Sequence, residues 1–194
     1  VLLDLLQDYK RPFDKIAELT RQGYLIQVKR GLFIPGPKSL VAAPENLLLA
    51  NHIWGPSYVS SDTALSYWGL IPERVYETLS MTTTIAKAYQ TPVGRFRYIR
   101  LPLPYYSFGI QRVELASRQL TLIADKEKAL CDKIVSTHRF VLRSVKQARA
   151  YLSDDLRITK ESLRELNVTV ISDYLQAAPK KESLQVLIKT LHDL

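Results

Sequence analysis

From Phe13 onward the apolar positions Phe13, Ile16, Ala17 and Leu19 recur on one side of a helix with about 3.6 residues per turn, while Arg11, Asp14, Lys15, Glu18, Arg21 and Gln22 project from the other. The spacing predicts an amphipathic helix with one packed side and one solvent side. Gly23 stands where the helix end needs a residue tolerant of left-handed backbone angles. Residues 24–28 and 32–34 then read as two short strands around Lys29, Arg30 and Gly31, a tight turn with two positive charges at its tip. A helix running straight into a basic hairpin is the order of a winged helix-turn-helix, in which the helix enters the major groove and cations of the wing neutralise flanking phosphates. Any amphipathic helix has a solvated face, so the hairpin is the observation that turns the reading toward duplex DNA. On it, Arg11, Asp14, Lys15, Arg21, Gln22, Lys29 and Arg30 are the candidate DNA-facing residues.

After the hairpin, Pro35, Gly36, Pro37 and Lys38 punctuate the chain, and the stretch to Pro44 has the composition of a linker. The expected division is a winged helix over residues 1–43 and a second domain over 44–194. Residues 45–53 predict a helix broken by Gly55 and Pro56, and Ser60, Ser61 and Asp62 offer N-cap oxygens for a helix over 63–68. Strand signals follow. Leu79, Met81, Thr83 and Ile85 alternate with Ser80, Thr82 and Thr84, and 95–101, 108–115 and 119–124 come next with turn residues between them. This predicts an antiparallel sheet of about four strands in a meander. Asp125 can cap a helix whose inward stripe is Ala129, Leu130, Ile134 and Val135, and the rest to Leu194 reads as four further helices. The fold class expected is α+β, with a helical C-terminal part.

Composition narrows the function classes. A chain of 194 residues with 46% hydrophobic content can build a real core. The net charge of +8 suits a polyanionic partner, and it is uneven: Lys and Arg against Asp and Glu number 7 and 4 in residues 1–43, 7 and 6 in 44–125, and 13 and 9 in 126–194. A single cysteine, Cys131, excludes an internal disulfide. No apolar run approaches the roughly eighteen residues needed to span a bilayer, so a cytoplasmic protein without a membrane partner is expected. The chain opens on Val1 rather than Met, and residues 2–6 fall directly into a helical pattern; a winged helix incomplete on its N-terminal side is therefore expected, and no signal peptide is visible.

The catalytic inventory is thin. His52, His138 and His192 lie in unrelated segments without metal-ligand spacing, and Cys131 sits beside Leu130 on the inward side of a helix, as a small buried hydrophobe does. There is no Gly-rich phosphate loop, nucleophile elbow or HExxH. Asp125, Glu127 and Lys128 have the residue types of a magnesium-dependent nuclease, but carboxylates that share a metal converge from separate elements, whereas these open a single helix. Neither cofactor nor metal is expected, and the chain does not read as an enzyme. Tyr58, Tyr67, Trp68, Tyr98, Tyr105 and Tyr106 cluster within fifty residues, consistent with core packing or with a protein interface. Arg95, Arg97 and Arg100 interleave with Phe96 and Tyr98, which suits either a single-stranded nucleic-acid platform or a solvated strand face.

Two kinds of text resemble a known family, the AbiEi antitoxins of type IV toxin–antitoxin (abortive infection) systems. DKIAELTRQGYLIQVKRGLFIPG resembles their N-terminal winged helix. SYVSSDTALSYWGLIPE at 57–73, TTT at 82–84, GRFRYIRLP at 94–102 and ADKEKALCDKI at 124–134 resemble their C-terminal antitoxin domain, in the same order. The resemblance implies a repressor of its own operon that binds double-stranded operator DNA and counteracts a cognate nucleotidyltransferase-like toxin. It also places Ser60, Ser61, Asp62, Tyr67, Trp68, Arg95, Arg97, Asp125 and Lys128 in the antitoxin-domain motif. The alternatives from the residues alone are a winged-helix regulator whose second domain senses a ligand and, more remotely, a DNA-acting nuclease.

Overall fold

The computed structural model describes residues 2–116 and 118–194. A one-turn helix α1 (Leu2–Leu5) precedes α2 (Pro12–Gln22) and the hairpin of β1 (Leu25–Lys29) and β2 (Leu32–Pro35). Pro12 opens α2, where its missing N–H has no intrahelical partner to lose. Gly23 ends the helix at φ 84°; its N–H donates to the Thr20 carbonyl at 3.1 Å and that of Tyr24 to Leu19 at 2.9 Å, the paired bonds of a Schellman motif. The expected helix and hairpin are present, but the packing of the helix differs from its periodicity. Of the expected stripe only Ile16 is buried; Phe13 is 70% exposed, Ala17 is exposed and Leu19 is half-buried. Among the described residues, Phe13 and Ile16 share an open apolar cavity of about 530 Å³ with Gln27, Phe33, Leu2 and Leu3. The opposite face of the hairpin, Val28 and Ile34, is buried in the main core.

The main body contains a six-stranded mixed sheet flanked by helices. In chain order, α3 (Asn46–Ile53), β3 (Ser57–Val59), α4 (Ser61–Tyr67), β4 (Glu77–Thr82), β5 (Lys87–Thr91), β6 (Gly94–Arg100), β7 (Ile110–Glu114), β8 (Leu120–Ala124) and α5 (Lys126–Ser136) lead into α6 (Val145–Ala150), α7 (Lys160–Arg164), α8 (Val168–Tyr174) and α9 (Lys181–His192). The strand order is β5-β6-β4-β3-β8-β7, with β4 parallel to β6 and β3 parallel to β8. The expectation of about four antiparallel strands is corrected on both counts. β3 has three residues, all buried, so it shows no alternation, and β5 is the polar edge strand Lys-Ala-Tyr-Gln-Thr, which lacks an apolar period. Because β5 forms its hairpin on the outer side of β6, β6 returns alongside β4 in parallel.

Register divides the sheet into two faces. Ser57, Val59, Ser80, Thr82, Phe96 and Tyr98 share the face covered by α3, where the Tyr98 hydroxyl donates to the Ala50 carbonyl at 2.6 Å. Tyr58 and Met81 share the other, which meets α4 and α5. The helical tail is as expected: Ser144, Thr159 and Asn167 cap α6, α7 and α8, and Leu184, Leu187 and Leu191 of α9 enter the common core.

The centre of the sheet has a gap that one side chain fills. β3 and β8 pair only at Val59 and Ile123. Beside that pair, Asn51 Oδ1 accepts from the Leu122 N–H and the Thr121 hydroxyl, each at 2.8 Å, while its Nδ2 donates to the carbonyls of Leu122 at 3.2 Å and Ser57 at 3.4 Å. The amide stands in for a missing stretch of ladder. Asn51→Ala is expected to lower unfolding free energy by roughly 1–3 kcal/mol, read as a lower urea midpoint at unchanged m-value. An unmoved midpoint would mean that the sheet centre does not need the amide.

Candidate functional site

The residues expected to face DNA lie on α2 and the hairpin, in unequal situations. Arg11 and Asp14 are exposed and 3.8 Å apart; Lys15 pairs with Glu18 at 3.0 Å and lies 5.7 Å from the centre of the Tyr9 ring; Gln22 donates to Glu18 at 2.9 Å. The Lys15 ammonium and its hydrogen bond hold the Glu18 carboxyl below its ordinary range. Such solvent-screened surface pairs contribute little to stability and give way readily to a phosphate. Arg21 and Arg30 are exposed, with no ion-pair partner among the described residues. Lys29 is different. It turns back from the hairpin, donates to the Ile53 carbonyl at the end of α3 and lies 5.9 Å from the centre of the Tyr89 ring.

The four segments that resemble the antitoxin domain are adjacent in space, although they are spread over residues 57–134 in the chain. β3 and α4, the end of β4, β6, and the end of β8 with α5 are neighbours, and the first and last of these segments, together with Tyr105, supply a buried polar centre. Lys128 and Asp132, one turn apart on α5, are each 0% exposed, with Nζ 3.0 Å from Oδ1. Lys128 also donates to the Tyr105 carbonyl at 2.8 Å and sits 3.3 Å from the centre of that ring. Asp132 Oδ2 accepts from the Ser60 hydroxyl at 2.7 Å and from the Tyr58 hydroxyl at 2.9 Å. Burial pulls the Lys128 ammonium below its ordinary pKa while Asp132 opposes that shift. Burial first, and then Asp132, push the Tyr58 and Tyr105 hydroxyls well above theirs, so both stay neutral.

Asp125 caps α5 as expected, accepting from the Lys128 N–H at 2.6 Å, and it also accepts from the Tyr174 hydroxyl at 3.1 Å. Burial raises its pKa. Gly109 makes the approach possible. At φ +61° it passes so close that a Cβ there would lie 2.6 Å from Lys128 Cβ and 2.7 Å from the Tyr174 oxygen.

The cap read for Ser60, Ser61 and Asp62 is corrected. α4 has no side-chain cap bond, because the Ser60 hydroxyl is committed to Asp132 and Asp62 to Lys133 at 2.7 Å; Ser61 is buried at φ 52°. Trp68 donates its indole N–H to the Ala124 carbonyl at 2.8 Å, and Tyr67 is exposed edge-on to it at 4.9 Å. Arg95 and Arg97 are exposed on the sheet, Arg97 paired with Glu77 at 2.9 Å. Phe96 and Tyr98 are buried on the opposite face, so the interleaved arginines and rings do not form a base-stacking platform. Nor do the nuclease-type residues converge. Glu127 accepts from the Asn167 N–H at 2.8 Å, Asp125 caps, and Lys128 is enclosed. Among the described residues no group of three or more His, Cys, Asp or Glu is placed to hold a metal ion, and no helix is long and apolar enough to cross a membrane. Asp132 is the member of the centre that sequence reasoning passed over, while Tyr58 and Tyr105 entered it only as part of the aromatic cluster. The i, i+4 spacing of Lys128 and Asp132 was the available signal.

No protein-family model and no curated protein matches the sequence. The fold is similar to that of the RV2827C protein from Mycobacterium tuberculosis, seen in its crystal structure, with TM-score 0.59 and 13% sequence identity over 94% of this chain. The chain spans 66% of that protein's length, and at this identity the likeness is one of fold alone.

The buried centre makes a sharp energetic prediction. Lys128→Met leaves a carboxylate enclosed without its cation and is expected to destabilise by about 3–5 kcal/mol, whereas Lys128→Met combined with Asp132→Asn should lose clearly less than the two single changes added. Lys126→Ala, which removes a surface pair with Glu165, should change stability by about 0–1 kcal/mol. Urea unfolding of the four variants decides it; equal losses for Lys128→Met and Lys126→Ala would deny the centre its role.

Proposed function

We propose that this chain is an AbiEi-type antitoxin of a type IV toxin–antitoxin system. It binds double-stranded operator DNA through α2 and the hairpin, represses its own operon, and opposes a cognate nucleotidyltransferase-like toxin through the remainder, acting without catalysis of its own. The observation that carries the reading is the convergence of the resembling segments. Text that resembles the antitoxin domain in order along the sequence also lies together in the fold, with Ser60 of the first segment joined to Asp132 of the last. The likeness of fold to the RV2827C protein supports the same architecture.

DNA binding in this reading follows from exposed, unneutralised cations. Arg30 stands at the hairpin turn and Arg21 on the last turn of α2, both open to a polyanion. Arg11 and Lys15 sit earlier on the same helix, in surface pairs weak enough to exchange for phosphate or base contacts. The hairpin is fastened to the body through Val28, Ile34 and Lys29, so its tip is held in place before DNA arrives and less ordering accompanies binding.

Arg30→Ala is expected to weaken binding to all duplexes and to lower the slope of log affinity against log salt by about one. Arg21→Ala should either do the same or relax operator preference at one position by about 1–3 kcal/mol. With the toxin expressed from an unrelated promoter, both variants should still restore growth on co-expression. Growth rescue that fails with Arg30→Ala would place the whole effect in DNA binding, and failure of the intact chain to rescue growth beside its neighbouring toxin would remove the antitoxin assignment.

A further inference from the structure

Lys87 of the edge strand β5 is exposed, yet it is not a free surface lysine. Its ammonium lies 4.5 Å from the centre of the Trp54 ring and 5.2 Å from that of Tyr89. Both rings are themselves held. The Trp54 indole N–H donates to the Ile85 carbonyl at 3.1 Å, and Tyr89 stands edge-on to buried Tyr98 at 6.0 Å. The same Tyr89 ring receives Lys29 of the hairpin at 5.9 Å. Two lysines, one from the hairpin and one from the edge strand of the main sheet, thus meet at one aromatic side chain, next to the turn that presents Arg30.

What sets this cluster apart is the aromatic seat of Lys87, since exposed lysines such as Lys146 and Lys160 also lack an ion-pair partner among the described residues. Lys15, Lys126, Lys128 and Lys133 each have a carboxylate within ion-pair distance. None of Lys29, Arg30 and Lys87 has one among the described residues. Aromatic faces attract an ammonium without cancelling its charge, so the rings fix the position of Lys87 and leave its field intact. Edge-strand lysines often serve only to block sheet-to-sheet association. That role asks for a side chain projecting into solvent, and gains nothing from seating it on two rings, one of which a second lysine also approaches.

We infer that Lys87 is a phosphate contact supplied by the larger part of the chain, so that duplex DNA lies across the hairpin turn and onto the β5 edge, with Lys29 reinforcing the potential from behind. The inference rests on the DNA-binding reading above and extends its surface beyond the winged helix. DNA is the fitting occupant because its phosphates succeed one another every few ångströms, so neighbouring unneutralised cations are engaged together.

The test is fluorescence anisotropy of the full chain with two labelled duplexes, one covering the region upstream of its own gene and one of unrelated sequence, across a series of salt concentrations. Lys87→Ala should weaken binding to both by roughly three- to tenfold at low salt and reduce the salt slope by about one, while Lys87→Arg stays close to wild type. Lys160→Ala removes an exposed positive charge from α7 and should leave both quantities unchanged. If wild type binds and Lys87→Ala binds equally well, or if Lys160→Ala loses as much, the inference is overturned and the DNA-binding reading stands. If wild type binds neither duplex at any salt concentration, both fall.

Discussion

The ion pair between Lys128 and Asp132 is the interaction around which the larger part of the chain is organised. Neither group touches solvent, and an enclosed charge left without its partners would cost several kcal/mol. Every element that supplies a partner is therefore placed by the pair: β3 through Tyr58, the residue before α4 through Ser60, and the turn after β6 through Tyr105. Gly109 and Asp125 complete the fit by letting the backbone before β7 pass against the start of α5. A hydrophobic isostere could fill the same volume with comparable stability, but it would not demand three hydroxyl or carbonyl partners from three different elements. In this chain the pair ties three elements to one point through directed bonds, which apolar packing alone does not supply.

That arrangement extends to the N-terminal hairpin by a second route. Val28 and Ile34 enter the same core as α3, and Lys29 closes on the carbonyl that ends α3. Residues 36–45 thus connect two parts that already touch, so the linker does not by itself allow them to move independently. α2 is held less firmly. With Ile16 its one buried residue and Phe13 open to solvent, it depends on the hairpin for support, and its position follows that of the wing.

Much of this was legible in the sequence wherever a local rule suffices. The α2 helix, the Gly23 stop, the hairpin turn, the Asp125 cap and the helices of the tail each follow from a few adjacent residues, and each is where those residues put it. What escaped was set by partners distant in the chain. β3 is too short and too buried to alternate, and β5 too polar to resemble a strand; each is a strand because of its neighbours in the sheet. The Ser60 hydroxyl was read as a cap by the same local logic, and lost to Asp132, seventy-two residues away. The same limit applies to the candidate sites. Lys29 looked like a tip cation from its place in the turn, and only the body of the protein, through Ile53 and Tyr89, turns it inward.

The residues that carry the family resemblance divide by physical situation, and the division bears on how the proposed antitoxin activity would work. Ser60, Ser61 and Lys128 are buried and hold the fold together; Tyr67, Arg95 and Arg97 are exposed. A sequence pattern records both kinds alike. Buried members can reach a partner only through the shape they impose, whereas exposed members are available to touch one. Arg97 already has Glu77 as a surface partner, a pairing of the strength that competing contacts readily replace, while Arg95 stands beside it without one among the described residues. If the larger part of the chain opposes the proposed toxin by contact, the outer face of β6 with these two arginines has both the exposure and the charge for it, on the side of the sheet away from α3 and the Lys87 cluster. The two proposed partners would then approach different faces of one sheet, and both surfaces would be held in register by the same enclosed ion pair.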